Sequence, residues 1–172
     1  DDYQSLDRIV ELATAEADRR ILVDLAAQTH QPLSRWMEES RLLDLTQQFN
    51  ITLMYWHVMD NSFDSVELLR RLLDQFGDKL KLVLVLNHIR GERFELLEAS
   101  CQRTRAEQSG AKIVALQRLA DATMHKLDAD SRSFWSAMNH AAGADGNLGM
   151  LERQRVWVWM KRAYEEIDQV GV

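Results

Sequence analysis

The sequence predicts an α/β fold in which a mainly parallel sheet is flanked by helices and followed by a helical carboxyl-terminal region. Short apolar runs alternate with longer amphipathic segments, which is the pattern of strands joined by crossover helices. The run 82–86 is apolar at every position, as is typical of a parallel strand covered by helices on both faces. No linker long enough to separate two domains interrupts the 172 residues, so we predict one α/β domain over 1–172.

The first half of the chain predicts two helices and two strands. Apolar residues recur at helical spacing over 3–18, which indicates an amphipathic helix. Residues 21–23 form a short apolar run that we interpret as a buried strand ending at Asp24. A second helix is predicted over 33–48, directly after a proline that suits the first turn of a helix. Residues 51–59 are rich in β-branched and aromatic side chains and predict the second strand.

The second half continues the same alternation. Asp64 followed by Glu67 resembles a capping box, so we expect the next helix to begin there. Gly77 stands where a helix-ending glycine belongs. Strands are predicted over 81–86 and 112–116, on either side of a polar helix. The helices predicted in this half after Gly77 cover 92–108, 117–127, 131–141 and 148–169.

Composition and charge disfavour several classes of function. The formal net charge of −6 argues against a protein coated in basic surface for nucleic acid, although a local basic patch that contacts DNA stays open. No apolar run approaches the roughly 20 residues that span a bilayer, so we predict no transmembrane segment. The single cysteine, Cys101, cannot form an internal disulfide, and we therefore expect a reducing, cytoplasmic setting.

Polar residues at the predicted strand ends are the best candidates for chemistry, because ligands of open parallel sheets bind beyond the carboxyl ends of the strands. Asp24 at such an end can orient a water on Mg²⁺ beside nucleotide phosphates, or it can simply cap the next turn. Asn87 ends the third predicted strand. Its amide can read an adenine edge through one donor and one acceptor, or it can form an Asx turn.

Three histidines, His30, His57 and His88, also lie at or just past the predicted strand ends. Three imidazoles can bind zinc, but no two of these are spaced i, i+4 on one helix face, so ordinary packing is favoured. A small, unrelated α/β enzyme with its site near His57 and His88 is a further possibility at this point.

Glycine placement excludes a phosphate-binding loop from this sequence. The first of the seven glycines is Gly77, so neither the G-x-x-x-x-G-K-[ST] loop nor the dinucleotide G-x-G-x-x-G loop is present.

Arg20-Ile21-Leu22-Val23-Asp24, the helix and strand that follow, and the run 82–87 together resemble the later part of a ParA/MinD-type P-loop ATPase, in particular its plasmid stability and mobilisation members. The resemblance covers roughly 20–127. It implies a partial P-loop NTPase-like fold, with the switch II aspartate at Asp24 acting catalytically and on Mg²⁺ through water, and the base-contacting asparagine at Asn87. It also implies ATP and Mg²⁺ as cofactors, and ATP-dependent dimerisation and hydrolysis in plasmid or mobile-element maintenance.

Two departures from that family's pattern qualify what the resemblance implies. Leu25-Ala26-Ala27 follows the aspartate where the family has Thr-Pro or Ser-Pro-Ala-Gly, so the usual switch glycine is replaced. The family's first strand, P-loop and signature lysine have no counterpart here. We therefore expect the chain to lack an amino-terminal strand–P-loop–helix segment and, by itself, not to hydrolyse ATP.

The final predicted helix suggests a second kind of function. An apolar stripe predicts docking on the sheet, and it comprises Val156, Trp157, Met160, Tyr164 and Ile167. Trp159 widens the apolar surface beyond this stripe, and Arg155 and Arg162 flank it. The alternative function is a non-catalytic module that uses these three residues to bind a protein partner or a second copy, with DNA phosphates or anionic lipid as other ligands. A core helix with a solvated basic edge is the structural alternative.

Overall fold

The computed structural model describes residues 3–16, 18–26, 28–139 and 148–171. The chain divides into two compact units, Asp1–Met54 and Tyr55–Val172, and each is described by itself. We call Asp1–Met54 unit 1 and Tyr55–Val172 unit 2. The expectation that 1–172 forms one domain stays a prediction.

Unit 1 is helical in its described residues. Its helices are α1 (Gln4–Ala15), α2 (His30–Glu39) and α3 (Leu42–Gln48). The Trp36 indole donates to the Asp7 carboxylate at 2.9 Å, which ties α1 to α2. The predicted helix over 33–48 is interrupted because Arg41 takes a left-handed conformation, with φ 47°, between α2 and α3.

The prediction of a buried strand at 21–23 is wrong. Residues 19–26 lie outside helices and strands, and Leu22 is 95% exposed. A buried strand needs neighbours that accept and donate its backbone hydrogen bonds, and the described residues of unit 1 form no other strand. Residues 21–23 therefore have the composition of a strand, but they lack the backbone hydrogen bonds to a neighbouring strand that define one.

Unit 2 is an α/β unit with a three-stranded parallel sheet. Its strands are β1 (Met54–Met59), β2 (Lys81–Asn87) and β3 (Lys112–Leu116), in the order β1-β2-β3. The parallel register of β2 and β3 pairs Val83 with Lys112 and Asn87 with Leu116. Strand β2 is buried from Leu82 to Leu86, as expected for a central strand covered on both faces. The general α/β prediction is confirmed.

Helices join and flank these strands. Helix α4 (Phe63–Phe76) connects β1 to β2, and α5 (Glu95–Ala99) and α6 (Gln102–Gln108) connect β2 to β3. The remaining helices are α7 (Asp121–Ala129), α8 (Phe134–Asn139) and α9 (Met150–Asp168). The part of the predicted helix over 131–141 that follows Asn139 lies outside the described residues.

Two local predictions in this unit need correction. Helix α4 is capped by Ser62, whose hydroxyl accepts from the Ser65 amide at 3.3 Å, and not by Asp64. Glu67 pairs with Arg70 and Arg71 along the same helix instead of closing a capping box. The helix predicted over 92–108 is broken between α5 and α6 because Cys101 has φ 60°.

Helix α9 packs on a face that overlaps the predicted stripe only in part. Val156 and Ala163 are buried, whereas Trp157 is 49% and Tyr164 54% exposed. The contacting face follows i, i+3, i+4, i+7 spacing through Val156, Trp159, Met160 and Ala163. The predicted stripe is confirmed at Val156 and Met160 and wrong at Trp157 and Tyr164, because it passed over the small Ala163, which allows close approach to the sheet.

Helix α9 also covers the outer edge of β3. The Glu166 carboxylate accepts from the Ala115 amide at 3.3 Å, and Lys112 donates to the Val170 carbonyl. The first contact gives a partner to a backbone amide of β3, which is an edge strand among the described residues. Among the described residues, none of the helices is both long and apolar enough to cross a membrane.

Candidate functional site

The best candidate site lies where β1 and β2 end. We define the strand-tip site as Asp60, Asn61, Asn87, His88 and Arg90. Asp60 and Asn61 follow β1, while Asn87 closes β2 and the other two belong to the single helical turn His88–Arg90. Because β1 and β2 are neighbouring parallel strands, their carboxyl ends share one edge of the sheet, where open α/β sheets bind ligands.

Asp60 is the most strongly held charge at this edge. One carboxylate oxygen accepts from the Ser62 hydroxyl at 2.5 Å, the Ser62 amide at 3.0 Å and the Ser65 hydroxyl at 2.8 Å. The other oxygen lies 2.9 Å from the Arg90 guanidinium. These hydrogen bonds, led by that from the Ser62 hydroxyl, outweigh partial burial and lower the pKa of Asp60 to about 2. Asp60 is therefore an anion at neutral pH, and it ties the loop after β1 to the loop after β2.

The two loops also approach each other closely at Gly91. The Asn61 side-chain amide donates to the Arg90 carbonyl at 3.5 Å. Gly91 has φ +146°, and a Cβ placed there would lie 3.0 Å from Asn61 Nδ2. A side chain at position 91 would thus meet both backbone strain and a crowded neighbour, which explains why glycine occupies it.

An open polar pocket of about 440 Å³ adjoins these loops. Its lining residues are Asn61, Gly91, Glu92, Arg93 and Glu95. Arg93 pairs with Glu95 at 3.0 Å, and both side chains are largely exposed. The pocket is an open depression at the surface with room for a small polar ligand.

Asn87 forms an Asx-type turn, which was the second of the two roles predicted for it from the sequence. Its Oδ1 accepts from the Ile89 amide at 3.2 Å and caps the turn that follows. Within the described part of the chain, its Nδ2 makes no hydrogen bond. The side chain therefore keeps one free donor and a second acceptor lone pair at the sheet edge.

The three histidines singled out in the sequence have different surroundings. His88 packs edge-on against Phe94, with ring centroids 5.2 Å apart, and its buried Nδ1 has no hydrogen-bond partner in the described chain. His57 is buried in β1, with Nε2 3.4 Å from the Ser65 carbonyl oxygen. His30 belongs to unit 1, where it begins α2. The residues described by the structure contain no group of three His, Cys, Asp or Glu side chains placed to hold a metal ion.

Asp24 lies in the exposed segment 19–26 of unit 1, and not at the tip of a strand. The rigid support that a strand would give its carboxylate is therefore missing from the described residues. Its role as a catalytic aspartate acting on Mg²⁺ stays a prediction.

The predicted partner-binding residues of α9 differ in how far their side chains are exposed or used in packing. The Trp159 indole stacks on Phe134 at 4.8 Å and donates to the Gln117 carbonyl, so its surface is largely used in packing. Arg155 is exposed, and Arg162 lines a cavity of about 120 Å³ beside Trp159. The exposed tryptophan is Trp157, with the Lys161 ammonium 5.8 Å from its ring centroid. Counting Ala163 as part of the packed face would have identified Trp157 from the sequence.

Sequence reasoning did not foresee the contact between the loop after β1 and the loop after β2. It singled out Asn87, and it did not single out Asp60 or Arg90. The available signal was Asp60 itself, an aspartate directly after a strand, which is the pattern that drew attention to Asp24. The pairing with Arg90 depends on strand order and has no local sequence signature.

Fold and site together define a class: an α/β protein with a short parallel sheet and a polar ligand-sized pocket at its carboxyl edge. Comparison of the chain with protein-family models, with curated proteins and with solved structures gives no match. The resemblance to ParA/MinD-type ATPases therefore stays a prediction from sequence motifs.

Proposed function

We propose that this chain is part of a ParA/MinD-like ATP-binding protein whose intact form binds ATP with Mg²⁺, dimerises and hydrolyses ATP in plasmid or mobile-element maintenance. Within that protein, the strand-tip site of unit 2 contacts the base. The observation that carries the proposal is the Asn87 amide at the carboxyl edge of a parallel sheet, in the turn that leads to Gly91, which lines an open polar pocket.

The chemistry of Asn87 suits an adenine base. Adenine offers an acceptor at N7 and a donor at its 6-amino group, which an asparagine amide can match with one donor and one acceptor. The Nδ2 donor is available, and Oδ1 keeps a second lone pair while accepting from Ile89. The Asx turn and base binding are therefore compatible, and the turn fixes the amide before the ligand arrives.

The residues of this chain fit the base of a nucleotide better than its phosphates. The sequence contains no glycine-rich loop to surround a phosphate, and Asp24 supplies a single carboxylate from an exposed segment. We derive no metal-dependent step from this chain. In the proposal, phosphate binding belongs to a segment of the intact protein that carries the P-loop.

Exposure of the run 21–23 favours this proposal. Three consecutive apolar side chains, with Leu22 95% exposed, are costly in water and suit a strand that pairs elsewhere in a larger sheet. Pairing there would also give Asp24 the rigid support that its proposed role requires.

Titration with nucleosides tests base recognition in the chain as it is. We expect adenosine to shift the NMR signals of the Asn87 side-chain amide and to bind about tenfold more tightly than inosine, which lacks the 6-amino group. Asn87→Ala should remove this preference. Asn139→Ala is the matched control, because that amide donates to the Trp135 carbonyl in α8, away from the pocket. Equal binding of both nucleosides to the unsubstituted chain would contradict the proposal.

The alternative, a non-catalytic module that binds a protein partner through its carboxyl-terminal helix, is favoured by a different observation. Trp157 and Tyr164 lie exposed on one side of α9, with Lys161 between them in the sequence. In this alternative Trp157 replaces Trp159 as the central contact, and Arg155 remains an exposed neighbour. Concentration-dependent association that Trp157→Ala abolishes would support it.

A further inference from the structure

We propose that the Asp60–Arg90 ion pair is a latch that holds the loop after β2 in the conformation that presents Asn87. Both charged residues are then positioning residues of the base site. This inference rests on the proposed function, because it gives the latch a role in base binding.

The first support is that the Asp60 carboxylate is held by contacts that do not involve Arg90. Ser62 and Ser65 donate three hydrogen bonds to one carboxylate oxygen, which leaves the second oxygen directed at the guanidinium. The Asp60 side chain is only 18% exposed, against 68% for Arg90. A fixed, partly buried anion therefore meets an arginine carried by the neighbouring loop.

The second support is the position of Arg90 in that loop. The turn begins at Asn87, whose Oδ1 accepts from the Ile89 amide, and it closes where the Gly91 amide donates to the His88 carbonyl at 3.1 Å. Arg90 lies inside this short turn. Anchoring its side chain and its carbonyl to the loop after β1 restricts the backbone that orients Asn87.

The third support is that the latch stands apart from the pocket surface. The residues that line the pocket include Asn61 and Gly91, and Asp60, Arg90 and Asn87 are not among them. The hydrogen bond from the Asn61 side-chain amide to the Arg90 carbonyl links the position of one loop to that of the other. In this proposal the ion pair acts on the pocket through the two loops, at Asn61 and Gly91.

Variants of the ion pair test the latch in the complete 172-residue chain. Asp60→Asn keeps one oxygen acceptor for the serines and removes the charge, while Arg90→Ala removes the other partner. We expect each variant to weaken adenosine binding about threefold to fivefold, the scale of a partly exposed ion pair. Amide hydrogens of residues 88–91 should exchange faster in both variants without ligand, and Arg90→Lys should restore part of both properties.

Arg105→Ala is the matched control, because Arg105 pairs with Asp74 at 2.6 Å in the same unit and joins α6 to α4 away from the site. Unchanged affinity and unchanged exchange in Asp60→Asn and Arg90→Ala would overturn the latch and leave base binding intact. Weaker binding with unchanged exchange would show direct ligand contact and overturn the positioning role. Faster exchange in a chain that does not bind adenosine would retain the latch and refute the proposed function.

Discussion

At the scale of single residues, the chemistry of the site depends on how Asp60 is held. The sequence shows an aspartate after a strand, and the structure adds two serine hydroxyls, one amide and one guanidinium around its carboxylate. The serines also serve the fold, since Ser62 caps α4. The cluster of Asp60, Ser62 and Ser65 thus caps α4 and holds the Asp60 charge in place. The stability of the fold and the position of the loop after β1 therefore both depend on Asp60.

This linkage predicts a pH dependence of stability. The pKa of Asp60 is about 2 in the folded chain against an ordinary 3.8, so the ionised group stabilises the folded state above about pH 4. That contribution to the free energy of unfolding is lost as the pH falls towards 2. Urea denaturation of Asp60→Asn should show a lower stability at pH 7 and a shallower loss between pH 4 and 2.

Asp64→Asn provides the comparison, because Asp64 is an exposed carboxylate in the first turn of α4, close to Asp60 in the sequence. Its stability curve should keep the acid-dependent loss of the unsubstituted chain. If Asp60→Asn and Asp64→Asn change the curve alike, the hydrogen bonds at Asp60 do not have the effect assigned to them.

At the scale of elements, helix α9 shows how packing selects one of two apolar faces. Large side chains occur on both sides of the helix, and the small Ala163 lies on the side that faces the core. Val156 and Trp159 pack with residues of α7 and α8, while Trp157 stays in contact with solvent. The adjacent residues Val156 and Trp157 are both apolar, yet the first is buried in the core and the second lies at the surface.

Neighbouring substitutions separate these roles. Val156→Ala should lower the free energy of unfolding by about 2 kcal/mol, because it removes buried methyl groups and leaves a cavity. Trp157→Ala removes a much larger side chain and should change stability by less than about 0.5 kcal/mol. Chemical denaturation of the two variants under identical conditions measures both values. A larger loss in Trp157→Ala than in Val156→Ala would show that the faces are assigned the wrong way round.

At the scale of the whole molecule, the predicted and observed sheets differ by one strand. Strands near 51–59, 81–86 and 112–116 were predicted and are present, with bounds close to those expected. The run 21–23 has equal strand character in the sequence and forms none. Local composition therefore predicts a strand correctly where a neighbouring strand is available. It fails where the described residues provide no strand to pair with.

Leu22 gives a direct test of this difference. Leu22→Lys should leave the stability of the 172-residue chain within about 0.5 kcal/mol and reduce its aggregation, because the side chain is already 95% exposed. Leu72→Ala, at a position only 2% exposed, should cost about 3 kcal/mol and is the reference. Thermal denaturation and light scattering measure the two effects. A large destabilisation by Leu22→Lys would mean that the run 21–23 is paired in solution.

The sequence by itself determined the α/β class, the positions of β1, β2 and β3, and the candidate status of Asn87. Those features depend on hydrophobic periodicity and on which residue ends a strand, and both are local properties of the chain. Only the tertiary structure decided the Asp60–Arg90 pair, the buried face of α9 and the exposure of Leu22. Each of these depends on which distant residues become neighbours, because burial and ion pairing are properties of contacts and not of the residues that make them.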